Sequence, residues 1–307
     1  MTGLRHLVLA AVAAVLALGL GLAVGAGPLV GRSEAGRADR SDRLAARADR
    51  LAAKVAALRQ ETNTDAKVVA AFAAPLVQGR LSGRSVLLVR TPGASAATVR
   101  AVRADLLGAG ASLTGEMSIG ASYLDPSQAA APLEDLALRL VPPKVTFADG
   151  ATSIARVSTV LARSTVAAEP PEDTDQDAAE VIAGLAELGA VHLSGTPGRL
   201  ASLAVVVTGN EKPTAEAAVL SLVTALDAGS GGAVLVGPGS TPVTVGWARA
   251  KGMGGASSVD SIDTTAGRTA AVLALVEQVA GGKGSYGTGA GAVGVLPASV
   301  LSAPAGG

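Results

Sequence analysis

The chain has 307 residues, 25 basic and 25 acidic, with 49% apolar and 2% aromatic side chains and no cysteine. Its apolar content excludes disorder for most of the length. Neutral charge and only five aromatics (Phe72, Tyr123, Phe147, Trp247, Tyr286) argue against nucleic acid as a partner, because that binding rests on phosphate neutralisation and base stacking. Without cysteine there is no disulfide framework, thiolate nucleophile or zinc-cysteine site, and either redox compartment remains open.

In chain order, the first feature is a run of 25 residues without a charge between His6 and Arg32, enough to cross the ~30 Å hydrocarbon layer of a bilayer. Leu7 to about Gly27 reads as a transmembrane helix inside an anchor of residues 1–31. The competing reading is a cleavable signal peptide, since Arg5 precedes the run and Ala23, Gly25 and Ala26 are small enough to admit a peptidase. The length of the run favours the anchor. Ala13, Ala17, Gly21 and Gly25 fall four apart, so two such helices can approach closely in the small-xxx-small manner.

Residues 32–78 read as a stalk. Leu44, Ala48, Leu51, Val55 and Leu58 alternate spacings of four and three, which is a heptad seam, and Val55 at an a position between Leu51 and Leu58 at d favours two strands. The candidate oligomerisation set is therefore Ala17, Gly21, Gly25, Leu44, Leu51, Val55 and Leu58, with a homodimer or higher homo-oligomer as the expected assembly. A single amphipathic helix lying on its own domain is the competing reading. The basic excess here suits either an anionic lipid surface or a solvated helix face. The positive-inside count, Arg5 before the span against four Arg between 32 and 43, taken alone favours a cytoplasmic C-terminal domain.

From residue 79 to 280 the grammar becomes α/β. Ser85 to Arg90 (SVLLVR), a helical pattern over Ala96 to Leu107, and an extended Ala111 to Ile119 make one βαβ unit. The same order returns with Leu203 to Val207 (LAVVV), a helix from about Pro213 to Leu226, a strand Ala233 to Val236, and a last helix from about Thr264 to Val279. Unbroken apolar strands predict a mainly parallel sheet covered by helices on both faces. Between the halves, residues 151–168 and 177–189 read as helices joined by EPPEDTDQD. Its Asp173, Asp175 and Asp177 do not make an EF-hand, because Ala178 and Gly184 stand where Gly and Glu are required. Residues 281–307 read as a Gly/Ala-rich low-complexity tail.

Ligands of such sheets gather at the carboxyl ends of the strands, where the loops carry Arg90, Asn210, Glu211, Lys212, Asp260 and Asp263. Gly237-Pro238-Gly239 and Gly282-Lys283-Gly284 lack the remaining residues of phosphate-binding loops and read as turns. His192, between Val191 and Leu193, is the sole histidine outside the N-terminus, and no Gly-x-Ser-x-Gly elbow exists to partner it. An enzyme is not expected, nor is a cofactor.

The run Leu18 to Leu29 (LGLGLAVGAGPL), the stalk, Ala204 to Gly209 (AVVVTG) and Gly267 to Pro297 (GRTAAVLALVEQVAGGKGSYGTGAGAVGVLP) together resemble the actinobacterial copper transporter family of the MctB type. The resemblance covers nearly the whole chain. It implies an exported, membrane-anchored envelope protein, in place of the orientation the charge count suggests, with a role in copper efflux or channel formation and copper as a candidate partner. The alternative is a non-enzymatic scaffold that dimerises through helix and stalk and presents its α/β domain. The soft donors Met1, His6, Met117, His192 and Met253 are scattered rather than grouped at metal-binding spacing. No successive alternating segments of a transmembrane β-barrel are present.

Overall fold

A computed structural model describes residues 34–142, 145–239 and 243–297. The proposed span over Leu7 to Gly27 lies outside the described residues. Among those described, no helix is long and apolar enough to cross a membrane. The chain divides into two units, residues 1–62 and 63–307.

The first helix, α1 (Glu34–Val77), is 44 residues long. Alanine and other unbranched residues dominate it, which favours so long a helix, and Pro75 falls only in its last turn. Its apolar residues from Leu44 to Leu58 are exposed, in line with the spacing noted above but with no partner among the described elements of their own unit.

The second unit is built on a seven-stranded sheet in the order β3-β2-β1-β4-β5-β6-β7. Its strands are β1 (Ser85–Arg90), β2 (Ser112–Ile119), β3 (Val191–Gly195), β4 (Leu203–Val207), β5 (Ala233–Val236), β6 (Ser257–Val259) and β7 (Ser285–Tyr286). Every pairing is parallel except β2 with β3. The helices are α2 (Ala96–Gly108), α3 (Ala121–Leu124), α4 (Pro126–Arg139), α5 (Ser153–Arg163), α6 (Gln176–Glu187), α7 (Pro213–Gly229), α8 (Val243–Lys251) and α9 (Thr265–Val279). Ser95, Thr152, Asp175 and Thr264 cap four of them, each accepting from a backbone N–H in the first turn. Asp175 thereby explains part of the acidic segment as helix initiation.

Residue alternation along the strands sorts the core into two layers. Val86, Leu88, Val205, Val207, Val234 and Val236 point to the face covered by α2 and α9. Leu87, Val89, Met117, Val206 and Leu235 point to the other, under α4 to α8. The two serines of β6 confirm the division: Ser257 accepts from Gln278 of α9, while Ser258 accepts from Arg249 of α8. This placement fixes an uncommon connection. The crossovers β1-α2-β2 and β6-α9-β7 lie on one face yet step in opposite directions along the sheet, so their hands are opposite. The crossovers through α7 and α8 share the hand of the first. Three crossovers thus share one hand, and only the last departs from it, where the general rule is a single, right-handed sense.

Several elements differ from the sequence reading. Helices α4 and α8 and strands β6 and β7 were not anticipated. The segment read as a low-complexity tail contributes β7, buries Tyr286 and packs Leu296 against the core.

Candidate functional site

The loops at the carboxyl ends of β1 and β4 part in opposite directions, toward β2 and toward β5, which makes the crevice between them the topological switch point of the sheet. Thr91 and Thr208, both buried, directly follow the two strands there. One oxygen of the half-buried Glu211 sits at this crevice. Its Oε1 accepts from the Thr91 hydroxyl at 2.5 Å, from Gly93 N–H at 3.0 Å and from Gly209 N–H at 3.4 Å. The Glu211 N–H in turn donates to Thr244 Oγ1 at 3.2 Å, tying the loop to α8. A Cβ on Gly93 would lie 2.4 Å from Glu211 Oε1, and one on Gly209 would lie 1.9 Å from the Gly93 carbonyl. Glycine at both positions is a condition of this closure.

The neighbouring turns follow the same arrangement. Gly239 N–H donates to Asp263 Oδ1 at 3.1 Å. Asp260, fully buried, accepts from Thr288 N–H at 2.8 Å, Gly289 N–H at 2.9 Å and the Ser261 hydroxyl at 2.9 Å. Its other partner is Arg249, which is 4% exposed and donates from Nη1 at 2.8 Å. Arg249 also reaches Ser258 Oγ at 2.8 Å and the Tyr286 carbonyl at 2.6 Å. Burial acts to raise the Asp260 pKa, but the two backbone N–H groups, Arg249 and Ser261 outweigh it and hold the carboxyl below its ordinary value. Asp260 and Arg249 thus clamp the glycine-rich segment onto the sheet edge, and a Cβ on Gly287 would sit 2.1 Å from Asp260 Oδ1.

Of the residues the sequence placed at this edge, Glu211, Asp260 and Asp263 serve as acceptors for backbone N–H groups. Lys212 is the N-cap of α7 without a side-chain cap bond, and Arg90 is half-buried at the end of β1. A further acid was missed: Glu216, in the first turn of α7, is 4% exposed, and its Oε1 has no hydrogen-bond partner. Burial pushes its carboxyl above the ordinary range.

The soft donors do not converge. Met117 is fully buried on the α4–α8 face and pairs in register with Leu193, His192 is exposed on the edge strand opposite Ser118, and Met253 lies buried after α8. No group of three or more His, Cys, Asp or Glu that could hold a metal is found among the described residues.

Of the oligomerisation set, Ala17, Gly21 and Gly25 lie outside the described residues. Leu44, Leu51, Val55 and Leu58 are 61, 57, 45 and 52% exposed on α1. The same heptad frame continues through Thr62 and the sequence position of Asp65 to Val69 and Phe72, and both of these apolar residues are exposed. Thr62 and Asp65 are the two polar positions that separate this continuation from Leu58.

No curated protein matches the chain. A family model does, described as copper transport outer membrane protein, MctB, and the match runs over residues 1–297. On that match, which takes in the N-terminal run, the helix, the sheet and the glycine-rich segment clamped by Asp260, the chain belongs to the MctB copper transport family.

Proposed function

We propose that this protein is a non-enzymatic component of copper efflux in the cell envelope: an anchor over residues 1–31, a paired stalk over 32–78, and an extracytoplasmic α/β domain from residue 79 onward that takes in β7 and Leu296. Copper is its cargo rather than a resident cofactor. The observation that carries the reading is the stripe of Leu44, Leu51, Val55 and Leu58. A contiguous exposed apolar seam on a long helix, directly after an uncharged run long enough to span a bilayer, fits a stalk that pairs with a second copy. The family supplies the copper role.

Because Met117, His192 and Met253 stand apart, the domain is read as acting through assembly rather than through a soft-ligand site of one copy. That same scatter favours a second reading, a scaffold that presents the domain to envelope partners. A deletion strain separates the two. Copper efflux requires that the strain become sensitive to copper and recover on complementation, and unchanged copper tolerance would leave the scaffold. Protease added to intact spheroplasts tests orientation: digestion of the domain is expected, and full protection would place it in the cytoplasm.

A further inference from the structure

Doubly wound sheets take ligands at the switch point because loop N–H groups and a helix N-terminus converge there on a negative group. All of these parts are present at the carboxyl ends of β1 and β4. The Thr91 hydroxyl and the N–H groups of Gly93 and Gly209 point at a single position, and α7 begins beside it with no side chain capping its first turn. The position is filled by Glu211 Oε1, from the same chain.

We propose that the switch-point crevice is a carboxylate site whose ligand is built in, with Glu211 seated where related sheets take a free anion, so that the crevice is sealed and the β1 and β4 loops are clasped together. Hydrogen bonds to a carboxylate oxygen are stronger than neutral ones, and without it the buried Gly209 N–H is left without an acceptor, whereas the exposed Gly93 N–H can turn to water. The glycine contacts make the seal steric as well: the Gly209 backbone rests against the Gly93 carbonyl, and neither residue has room for a side chain. Along the same edge Asp263 accepts from Gly239 N–H, and Asp260, paired with Arg249, accepts from Thr288 and Gly289 N–H, so acids of this chain take the backbone N–H groups of those turns as well. This accounts for glycine turns without nucleotide-binding fingerprints, and it holds whether or not the family's copper role does.

The test is chemical rescue in the full-length protein, purified in detergent and melted in sodium formate against sodium chloride of equal ionic strength. Glu211→Ala is expected to lower Tm by several degrees, and formate to restore at least half of the loss in a saturable manner, while the parent does not respond to formate. Adding Thr91→Val to Glu211→Ala should abolish the rescue. The proposal is overturned if Glu211→Ala melts with the parent, or if formate acts no better than chloride, or if it stabilises the parent equally. If Glu211→Ala does not fold, Glu211→Gln and Thr91→Val decide: the amide keeps an acceptor without the charge and should fold with a Tm below that of the parent, and loss of the Thr91 donor should also lower Tm. A Gln variant that also fails to fold, or a Thr91→Val variant that melts with the parent, would overturn it too.

Discussion

The stalk helix and the α/β unit are written in the same alphabet of Ala, Val and Leu but place it in opposite ways. Along α1, Leu44, Leu51, Val55, Leu58, Val69 and Phe72 are 39 to 67% exposed, whereas Val86, Leu88, Val205, Val206 and Leu235 are inaccessible. The difference lies in periodicity. A period near 3.5 concentrates apolar side chains in a narrow stripe that suits a second helix, while unbroken β-branched runs have two apolar faces and must be covered on both. A long alanine-rich helix persists with its stripe open because its backbone hydrogen bonds are internal. A sheet has no such option. Substitutions in the α/β unit should therefore be read in stability and those in the stalk in association.

The largest expected effect is on the buried pair at the β6 edge. Arg249→Ala leaves Asp260 charged and fully buried and releases the Tyr286 and Ser258 contacts, which should cost about 3–5 kcal/mol by urea unfolding. Acid gives an independent check. Because the folded Asp260 pKa is depressed, its contribution is fully present above the unfolded carboxylate value and is lost as pH falls through the folded one. Asp260→Asn should remove that part of the acid dependence, and an unchanged slope between the two proteins would show that the clamp is not electrostatic.

That clamp also marks the limit of what the sequence discloses. Strands β1, β4 and β5 are legible because SVLLVR, LAVVV and AVLV are continuous apolar runs. Strands β6 and β7, SSV and SY, are not, since they hold their place through serine hydroxyls bonded to Arg249 and Gln278 and through Tyr286 donating to Glu277. Likewise, sheet topology identifies Glu211, Asp260 and Asp263 as residents of the ligand edge. Their partners are hidden, because Gly93 is 118 residues from Glu211 and Gly239 is 24 from Asp263. Only folding brings those N–H groups to the acids.

A smaller effect is expected at Glu216. With Oε1 buried and unpartnered, its charged form is disfavoured and its pKa is raised, so the folded state binds a proton before the unfolded state does. The parent therefore loses stability as pH rises from the ordinary carboxylate value through the raised one. Glu216→Gln should be more stable than the parent at pH 7, because it removes the charge that burial disfavours, with the advantage vanishing in acid. A variant that is less stable at pH 7 would mean that the carboxylate is held by its surroundings in its charged form.

The smallest effect on folding, and the sharpest test of the contrast, lies in the stalk. Leu51→Glu sits on an exposed stripe, so urea unfolding of the α/β unit should move by no more than about 0.5 kcal/mol, while cross-linking between copies should be lost. Flanking charge then reports strand direction. In the heptad frame with Leu51 and Leu58 at d, Lys54 falls at g and Arg59 at e, and a parallel pair in register sets g of one helix against e of the other. Lys54 would then face Arg59 of the second copy, two like charges at the rim of the seam. A parallel dimer should accordingly cross-link better at high salt, and Arg59→Glu should strengthen it by about 0.2–1 kcal/mol, the range of an exposed ion pair. If Leu51→Glu abolishes cross-linking but Arg59→Glu weakens it, the seam is real and the helices run antiparallel or out of register. Cross-linking that survives Leu51→Glu would show that copies meet elsewhere than along this stripe.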